Sequence, residues 1–512
     1  MRFLRILIFF LLILGCSSFP CRNYNCLDTQ IRPCSDGSNF TNEWFSQRLD
    51  HFDPDNNVVW GQHYQTNRKF FKDTGEQRIF LTLGGEQDTS DWRMCHDNYT
   101  HMIIAQENNA MVVQLQHRFF GRNKGLRDTS VSMLQFLTVE QAIEDTVAFI
   151  QGFNELEGFT NPKWVLLGMS YSGTLAAYLR MTHPEFSQGA IASSAPMLPK
   201  VDFWEYDVAM TGVFNEHDPR CVQEIKRGFW DLEQKLHTPE GRAEVNKKFR
   251  LSPKLDIENP TEEDLVVVST TFFYAFEQVV QRTYISSHAD TRRGGYLTIE
   301  NICNIMMNTS RTYPDRMYHV RWLAQHRRYP VLASYPRHVE YMSKTDINGS
   351  PTRGWTWMTC NQFGWFQHSS PRGPFLNSAP FGHSKRICRE TFGPEFTEER
   401  IQQNVDRTLH VYGLPWNFNG TNTVMTHGSY DPWATLGSFV NSTERRIVSV
   451  MTKGSSHCAD TFPYYSGEPA GLEHARQVMR REVAYYYSLP STFKKKQEKV
   501  PLSSKRAIWR LG

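Results

Sequence analysis

Three polar residues on separate loops of the 512-residue chain could together make a serine nucleophilic. Ser170 stands in Gly168-Met-Ser-Tyr-Ser-Gly173, and Asp431 and His457 follow much later, each just after a predicted strand. A serine hydroxyl needs a base within hydrogen-bond reach and a carboxylate that orients that base. We therefore predict covalent catalysis with Ser170 as nucleophile, His457 as general base and Asp431 as its orienter. Taken alone, His457 could be an ordinary surface or core histidine, and Asp431 could simply begin a turn.

The segment around Ser170 predicts a nucleophile elbow, the sharp turn that lifts a serine above a sheet. Residues 164–167 are apolar and predict a buried strand, whereas residues 174–181 have the spacing of a packed helix. The match to the pattern G-x-S-x-G is imperfect, because Ser172 takes the fifth position and the glycine comes one residue later. A purely structural turn is the alternative interpretation.

The predicted chemistry also requires backbone N–H groups that stabilise an oxyanion. Tyr171, the residue after the nucleophile, is expected to supply one of them. The second is expected from Gly85 or Glu86, in a glycine-containing loop that follows an earlier predicted strand. This loop could instead be only a tight turn, and Glu86 could bind a substrate amine or form an internal ion pair.

Several neighbours of these loops are candidates for contact with substrate. They are Glu86, Met169, His427 and Trp433. His427 could equally pack in the interior at the end of its strand. Asp460 follows His457 too closely in the chain to orient it. Ser193 and Ser194 lie on the strand after the elbow, where we expect a structural role.

The N-terminus predicts entry into the secretory pathway. Residues 1–18 combine two arginines, a short apolar core and small residues, as a signal peptide does, with an uncleaved anchor as the alternative. Ten cysteines favour an oxidising compartment. If Cys16 leaves with the signal, nine remain, so one stays free or the cleavage site lies elsewhere. Asn-x-Ser/Thr sequons predict glycosylation at Asn39, Asn98, Asn308, Asn348, Asn419 and Asn441. We therefore expect an extracellular or lysosomal glycoprotein.

Predicted elements divide the chain into a sheet-forming core and a helical insertion. Strands and helices alternate in residues 19–199, and sheet patterns return within residues 351–490, which predicts an α/β fold with a mostly parallel sheet. Residues 200–350 show helical patterns and predict an inserted cap. The basic tail at residues 491–512 is expected to be mobile. A net charge of +3 gives no reason to expect a nucleic-acid partner, and no further stretch is apolar enough for a stable membrane anchor.

Motifs spread over residues 44–488 occur in the order of one known family. They are Gln47-Arg-Leu-Asp-His-Phe52, Leu83-Gly-Gly-Glu86, Gln116-His-Arg-Phe-Phe-Gly121, Leu137-Thr-Val-Glu-Gln-Ala142, Gly168-Met-Ser-Tyr-Ser-Gly173, Ser193-Ser-Ala-Pro196, Gly428-Ser-Tyr-Asp-Pro-Trp433 and Gly454-Ser-Ser-His457. Together they resemble the serine carboxypeptidase family that contains lysosomal prolyl carboxypeptidase, lysosomal dipeptidyl aminopeptidase and thymus-specific serine protease. The Leu-Gly-Gly-Glu form and Cys360-Asn-Gln-Phe-Gly-Trp365 look nearest to the thymus-specific branch.

The resemblance implies an α/β-hydrolase core with a helical cap inserted after the elbow strand, and it implies the same roles for the three catalytic candidates. Members of the family cleave short peptides near one end, after proline or a related small residue. Three positions depart from the family: Met169 and Gln87 stand where glycine is usual, and His427 replaces asparagine. All three lie near the expected substrate, so the resemblance supports the chemistry more firmly than the specificity.

The leading hypothesis is a secreted or lysosomal serine exopeptidase that forms an acyl-enzyme on Ser170 and trims short peptides. It needs no metal and no cofactor. An esterase or lipase on the same fold is the alternative, and a non-catalytic adhesion-type relative is a third hypothesis. The sequence leaves open whether peptides are trimmed from the amino or the carboxyl end, and whether the protein is a monomer or a homodimer.

Overall fold

The computed structural model describes residue 34 and residues 40–283, 297–325, 331–346 and 351–492. The predicted signal peptide, the basic tail from residue 493 and two sequon asparagines, Asn39 and Asn348, lie outside these residues. Within the described ranges, no helix is both long and apolar enough to cross a membrane.

Within these described ranges, ten strands form two sheets. In chain order they are β1 Phe40–Arg48, β2 Val59–Asn67, β3 Gln77–Leu83, β4 Met111–Leu115, β5 Pro162–Met169, β6 Gly189–Ser193, β7 Lys200–Phe203, β8 Gly364–Gln367, β9 Thr423–Gly428 and β10 Ile447–Thr452. The large sheet has eight strands in the order β1-β2-β4-β3-β5-β6-β9-β10. β2 runs antiparallel to β1 and β4, and all other neighbours are parallel. This is the arrangement of an α/β-hydrolase core, and the predicted fold class is confirmed.

Both faces of the large sheet are buried, which explains why its strands are continuous apolar runs in the sequence. In β5, Trp164 and Leu166 join the core on one face, whereas Val165 and Leu167 join the core on the other. This alternation follows from the two-residue period of a strand. Packing on both faces therefore holds β5 firmly just before the turn that carries Ser170.

Sixteen α-helices lie within the described ranges. They are α1 Asp91–Cys95, α2 Thr100–Glu107, α3 Val131–Leu134, α4 Val139–Glu157, α5 Tyr171–Thr182, α6 Glu205–His217, α7 Pro219–Leu236, α8 Pro239–Phe249, α9 Glu262–Arg282, α10 Ile299–Met306, α11 Tyr313–Gln325, α12 Tyr335–Met342, α13 Pro351–Met358, α14 Phe381–Phe392, α15 Glu398–Tyr412 and α16 Gly471–Ser488. A turn of π-helix, Thr359–Phe363, follows α13. Helices α4 and α5 pack on one face of the large sheet, and α2 and α16 pack on the other.

Between β6 and β9, no strand of the described residues joins the large sheet. This stretch holds α6 to α15 and a small parallel sheet of β7 and β8. The predicted cap, residues 200–350, covers the first of these helices, but α13, α14 and α15 continue beyond residue 350. The second part of the core, predicted from residue 351, thus contributes its first strand of the large sheet only at Thr423. The pairing of β7 with β8 joins the start of the helical region to a segment beyond residue 350, so we propose a cap that extends past residue 350.

Three disulfide bonds lie in the described part of the chain. They join Cys34 to Cys95, Cys221 to Cys303 and Cys360 to Cys388. Cys458 is a buried free thiol, whereas Cys21 and Cys26 lie outside the described residues. The described sequon asparagines are all exposed, as glycosylation would require: Asn98, Asn308, Asn419 and Asn441.

Candidate active site

The turn between β5 and α5 holds Ser170 in a conformation that few residues adopt. Its φ is 56° and its ψ is −131°, so the backbone reverses sharply where the strand meets the helix. The Ser170 N–H donates to the Ser193 carbonyl at 2.8 Å, and the Ser170 carbonyl accepts the N–H groups of Gly173 and Thr174. Surrounding bonds of this kind are what maintain a strained residue. They present the half-buried serine side chain at the carboxyl end of β5.

The lack of space around the elbow explains its glycines, and hydrogen bonds explain why Ser172 is tolerated in place of the usual fifth-position glycine. A Cβ added at Gly168 would lie 1.8 Å from the Ser172 carbonyl oxygen, and one at Gly173 would lie 3.0 Å from the Ala195 Cβ. Ser172, which takes the place of the fifth-position glycine, is 2% exposed. Its hydroxyl accepts the Met169 N–H and donates to the Met169 carbonyl, both at 2.9 Å. A buried serine therefore stabilises this turn by hydrogen bonds.

We expect Gly168→Ala to destabilise the protein, because the new methyl group has no room. Its nearest neighbours are backbone atoms of residues 172 and 173, which cannot move without opening the elbow. Overpacking costs typically about 1–3 kcal/mol, and backbone clashes lie at the upper end, so we expect the free energy of unfolding to fall by about 3 kcal/mol. Denaturant unfolding of the purified protein measures this change.

Gly212→Ala, within α6, is the matched control for this substitution. A Cβ there meets nothing within 4 Å, and alanine is the better residue inside a helix, so stability should be unchanged or slightly higher. Equal stability of Gly168→Ala and wild type would contradict the tight elbow described above.

Asp431 and His457 lie on the loops after β9 and β10, at the same edge of the sheet as Ser170. His457 Nδ1 donates to Asp431 Oδ2 at 2.8 Å, and the Trp433 N–H donates to Asp431 Oδ1 at 3.0 Å. The Asp431 side chain is completely buried. Such a pair fixes the orientation and tautomer of an imidazole and leaves its Nε2 atom as the base.

The other ring nitrogen of His457, Nε2, is the atom that would act as the base. Nε2 is buried and has no hydrogen-bond partner within the described residues. Burial disfavours the charged imidazole, but electrostatic and hydrogen-bond interactions with Asp431 and Cys458 together outweigh burial and raise the pKa of His457 above its ordinary value. The backbone N–H of His457 donates to the backbone carbonyl of Gln281 at 3.1 Å, near the end of α9. A helix of the insertion thus contacts the loop that carries the base.

Neighbouring polar groups fix the loop that carries the imidazole. Asp460 accepts hydrogen bonds from the Ser193 hydroxyl, at 2.6 Å, and from the Thr426 hydroxyl, which lie on β6 and β9. Ser194 Oγ accepts the Cys458 N–H at 2.8 Å. These contacts agree with the structural role expected for Ser193 and Ser194, and they join the Asp460 carboxylate to hydroxyl groups of the sheet.

The three oxyanion candidates lie together around the elbow. Tyr171 is the first residue of α5, and the first N–H groups of a helix have no acceptor within it. A Cβ on Gly85 would lie 3.8 Å from the Ser172 nitrogen and 3.9 Å from the Tyr171 ring, so this loop passes directly over the elbow. Glu86 borders the same cavity as Ser170.

A buried network anchors the start of α5 and so positions the elbow. The Tyr171 hydroxyl donates to His117 Nε2 at 2.9 Å, while His117 Nδ1 donates to the Arg118 carbonyl at 2.8 Å. Burial lowers the pKa of His117 to about 4, so its imidazole is neutral and can accept this bond. The Arg118 guanidinium forms a buried ion pair with Asp145 at 2.7 Å. The motif at residues 116–121 thus has a supporting role.

Two cavities adjoin Ser170. The larger, of 360 Å³, lies between the core and the helical insertion. Its aromatic wall includes Tyr171, Trp355, Trp365 and Trp433. The Trp365 ring lies 5.9 Å from that of Trp355 and 5.7 Å from that of Trp433. Such a wall can bury an apolar side chain or a proline ring.

Two carboxyl groups border the larger cavity, Glu86 from the core and Glu277 from α9. Burial raises the pKa of both, which favours their neutral forms. Glu277 accepts a hydrogen bond from the Tyr206 hydroxyl at 3.1 Å, and the charge of Arg282 opposes its shift. Glu86 pairs with no cation in the part of the chain that the structure describes.

The smaller cavity, of 100 Å³, also adjoins the serine. Arg93, Met169, Phe462 and His457 are among the residues that border it. The larger cavity, by contrast, is not lined by His457. The His457 side chain therefore faces the smaller cavity.

Of the four residues predicted from the sequence to contact substrate, the structure places three beside the cavities and one away from them. Glu86, Met169 and Trp433 border the cavities. His427 borders neither of the two: it is buried, its Nε2 donates to the Ser438 carbonyl at 2.9 Å, and its ring packs on a phenylalanine. We therefore discard substrate contact for His427 and retain the packing role.

Several residues at the site carry no recognisable signal in the sequence. They are Arg93, Glu277, Gln281, Arg282, Trp355 and Trp365. All but Arg93 come from the helical insertion, for which the sequence predicts a cap over the sheet but no particular site residues. The fold, rather than any local pattern, brings them to Ser170.

Known proteins match this chain over most of its length. The serine carboxypeptidase S28 family matches residues 47–479. The chain belongs to this family. The S28 assignment confirms the resemblance and makes the protein a serine-type peptidase with peptide substrates.

Three relatives illustrate the range of similarity within the S28 family. A Caenorhabditis elegans protein whose name places it among the serine proteases is 32% identical over 459 residues, covering 86% of this chain and 83% of that protein. Thymus-specific serine protease of Mus musculus is 24% identical over 464 residues, covering 86% of each chain. Lysosomal Pro-X carboxypeptidase of Homo sapiens is 24% identical over 432 residues, covering 82% of this chain and 83% of that protein.

Proposed function

We propose that this S28 peptidase is an exopeptidase of the secretory pathway or lysosome that cleaves short peptides after proline or a small residue. The observation that carries the proposal is the hydrogen-bonded Asp431–His457 pair beside the Ser170 elbow, next to a cavity bordered by the helical insertion. The elbow offers a nucleophile and the pair offers a base. The insertion restricts the site to chain ends and short substrates.

In the proposed acylation, Ser170 Oγ attacks the carbonyl carbon of the scissile bond while His457 Nε2 takes the hydroxyl proton. The carbonyl electron pair moves onto oxygen, where the N–H groups of Tyr171 and of the loop at residues 85–86 stabilise it. The Asp431 carboxylate stabilises the imidazolium. When the intermediate collapses, the C–N bond breaks and the imidazolium gives its proton to the leaving amine.

Water completes the proposed cycle. His457 Nε2 takes a proton from a water molecule as its oxygen attacks the ester carbonyl of the acyl-enzyme. A second tetrahedral intermediate forms in the same oxyanion site. Its collapse breaks the bond to Ser170 Oγ, which recovers its proton from the imidazolium, and the acid product leaves.

The preference for proline or a small residue rests on the larger cavity. Its aromatic wall suits a compact apolar ring, and the name of the human relative, lysosomal Pro-X carboxypeptidase, supports the same preference. The three disulfide bonds and the exposed sequons support residence in an oxidising compartment.

Mass spectrometry of products from a peptide panel tests this function. The panel varies the residue next to the cleaved bond among proline, alanine and large residues, and includes peptides with blocked ends. We expect short terminal fragments from peptides with proline or alanine at that position. Ser170→Ala, purified in parallel, controls for contaminating proteases. Turnover of short-chain esters without any peptide cleavage would contradict the proposal.

A further inference from the structure

The position of the base assigns the two cavities to the two halves of a substrate. His457 must protonate the amine that leaves, and it borders only the smaller of the two cavities. The leaving residue therefore lies in the smaller cavity. The acyl half, with proline or a small residue at its end, lies against the aromatic wall of the larger one.

The size of the smaller cavity favours a small leaving group. Its volume is 100 Å³, whereas a cavity of about 150 Å³ holds one benzene molecule. One amino acid with a small side chain suits such a space. If a single amino acid leaves, its α-carboxylate must be accommodated inside or at the edge of this cavity.

Arg93 is a cation that borders the smaller cavity, where an α-carboxylate would lie. Its Nη1 donates to the Met169 sulfur at 3.0 Å, one residue from the nucleophile. Its guanidinium also lies 5.4 Å from the ring centre of Tyr99 and 4.9 Å from that of Phe462, so the side chain is held by packing. Its backbone carbonyl accepts a bond from His101 Nε2 at 2.7 Å.

The Arg93 guanidinium has N–H groups beyond the one that donates to the Met169 sulfur. It has five N–H groups, and no carboxylate oxygen lies within ion-pair distance of it in the described ranges of the chain. The other charged groups at the cavity differ in this respect. Asp88 pairs with Arg122 at 3.2 Å, and the charge of Arg282 acts on Glu277. Burial favours neutral Glu86, which weakens its repulsion of a substrate anion.

We propose that Arg93 binds the α-carboxylate of the leaving residue, so that the enzyme removes single amino acids from the carboxyl end of peptides. A planar guanidinium suits this role because it binds a carboxylate through two parallel hydrogen bonds. Met169 then has a role as well, since its sulfur helps to orient the guanidinium. This inference rests on the proposed serine exopeptidase function.

The test compares one N-acetylated peptide ending in Pro-Ala in two forms, with a free carboxylate and with a carboxyl-terminal amide. We expect wild type to prefer the free acid in kcat/KM by about ten- to a hundredfold, the range of a charge-assisted hydrogen bond. Arg93→Gln should bring this ratio close to one, chiefly through a higher KM for the acid. Arg93→Lys should retain part of the preference.

Two further measurements make the result specific. Fluorophosphonate labelling involves no carboxylate, so its rate should be similar in wild type and Arg93→Gln, which also shows that the variant is folded. Arg78→Gln is the matched control: Arg78 lies over the Tyr487 ring at the opposite end of β3, and its loss should leave the preference unchanged.

Several outcomes would overturn the proposal. They are equal cleavage of acid and amide by wild type, an undiminished preference in Arg93→Gln, and release of dipeptides from the same peptide without its acetyl group but not with it. In these cases fluorophosphonate labelling persists, and the serine peptidase function stands. If wild type shows neither labelling nor peptide cleavage, the proposed function itself fails and the role of Arg93 falls with it.

Discussion

Replacing Ser170 by alanine is expected to lower kcat for peptide hydrolysis by about a millionfold, as removal of a serine nucleophile does elsewhere. The variant has no oxygen that can form the ester, so covalent labelling by a fluorophosphonate should be lost as well. The fold should persist, because the backbone bonds of the elbow do not involve the Ser170 hydroxyl. Steady-state kinetics and labelling of the purified glycoprotein measure both effects.

Ser132→Ala is the control for this substitution, because Ser132 is exposed and its hydroxyl contacts only the neighbouring Ser130 hydroxyl. It should retain wild-type labelling and activity. Undiminished labelling of Ser170→Ala would show that another residue is the nucleophile. Retained hydrolysis without labelling would show that the reaction does not proceed through an ester on this serine.

Asp431→Asn should give the second largest loss, about ten-thousandfold in kcat. Asparagine fills the same space but cannot hold His457 in the tautomer that leaves Nε2 free as the base. It also removes the negative charge that stabilises the imidazolium during the reaction. Because Asp431 is buried and accepts the Trp433 N–H as well, the substitution should be accompanied by a measurable fall in stability. Kinetics and thermal unfolding separate the two effects.

The pH profile distinguishes the catalytic effect from a structural one. His457 accepts a proton only when neutral, so kcat/KM rises with pH through its pKa. Asp431 raises that pKa, so the rise in wild type should lie above the ordinary histidine pKa of about 6.5. Without the carboxylate, the largest interaction that favours the charged imidazole is gone, while burial continues to lower the pKa. The residual activity of Asp431→Asn should therefore rise at lower pH than that of wild type.

Another carboxylate–histidine pair offers the control. His368 Nε2 lies 2.7 Å from Asp202 Oδ1, and neither residue of Asp431–His457 is involved. Asp202→Asn should leave both kcat and the pH profile unchanged. An Asp431→Asn profile that coincides with that of wild type, or a loss of less than tenfold, would contradict the assigned role of Asp431.

The sequence predicts the sheet well because its signal is local. Residues 110–116 and 446–452, read as buried strands from their apolar runs, match β4 Met111–Leu115 and β10 Ile447–Thr452 to within a residue. The helix expected over residues 137–156 is α4 Val139–Glu157, capped by Thr138 and ended by Gly158. The extent of the helical insertion is less accessible, because the pairing of β7 with β8 joins segments far apart in the chain.

In the site, as in the fold, residues with a local sequence signal can be predicted, whereas residues placed by tertiary packing cannot. Ser170, Asp431 and His457 follow strands, so their common edge can be deduced from the sequence. His427 also ends a strand, yet its ring faces the interior and bonds to Ser438, a contact that no local pattern reveals. Other groups reach the site only through tertiary packing: Arg93 from α1, and Glu277 and Gln281 from α9.

The elbow illustrates how a departure from a motif is accommodated. Ser172 breaks the usual glycine pattern, but its buried hydroxyl bonds to both backbone groups of Met169. Met169, where the family usually has glycine, in turn places its sulfur against Arg93. The two departures therefore differ in consequence. Ser172 supports the turn, whereas Met169 borders the smaller cavity.

Mapping the fluorophosphonate adduct tests the central claim most directly. Wild-type glycoprotein is labelled, digested and analysed by tandem mass spectrometry, with heat-denatured protein as the control for non-specific labelling. We expect a single adduct on Ser170 in the native protein and none after denaturation, because labelling requires the assembled Asp431–His457 pair. An adduct on another residue, or equal labelling of the denatured protein, would contradict Ser170 as the activated nucleophile.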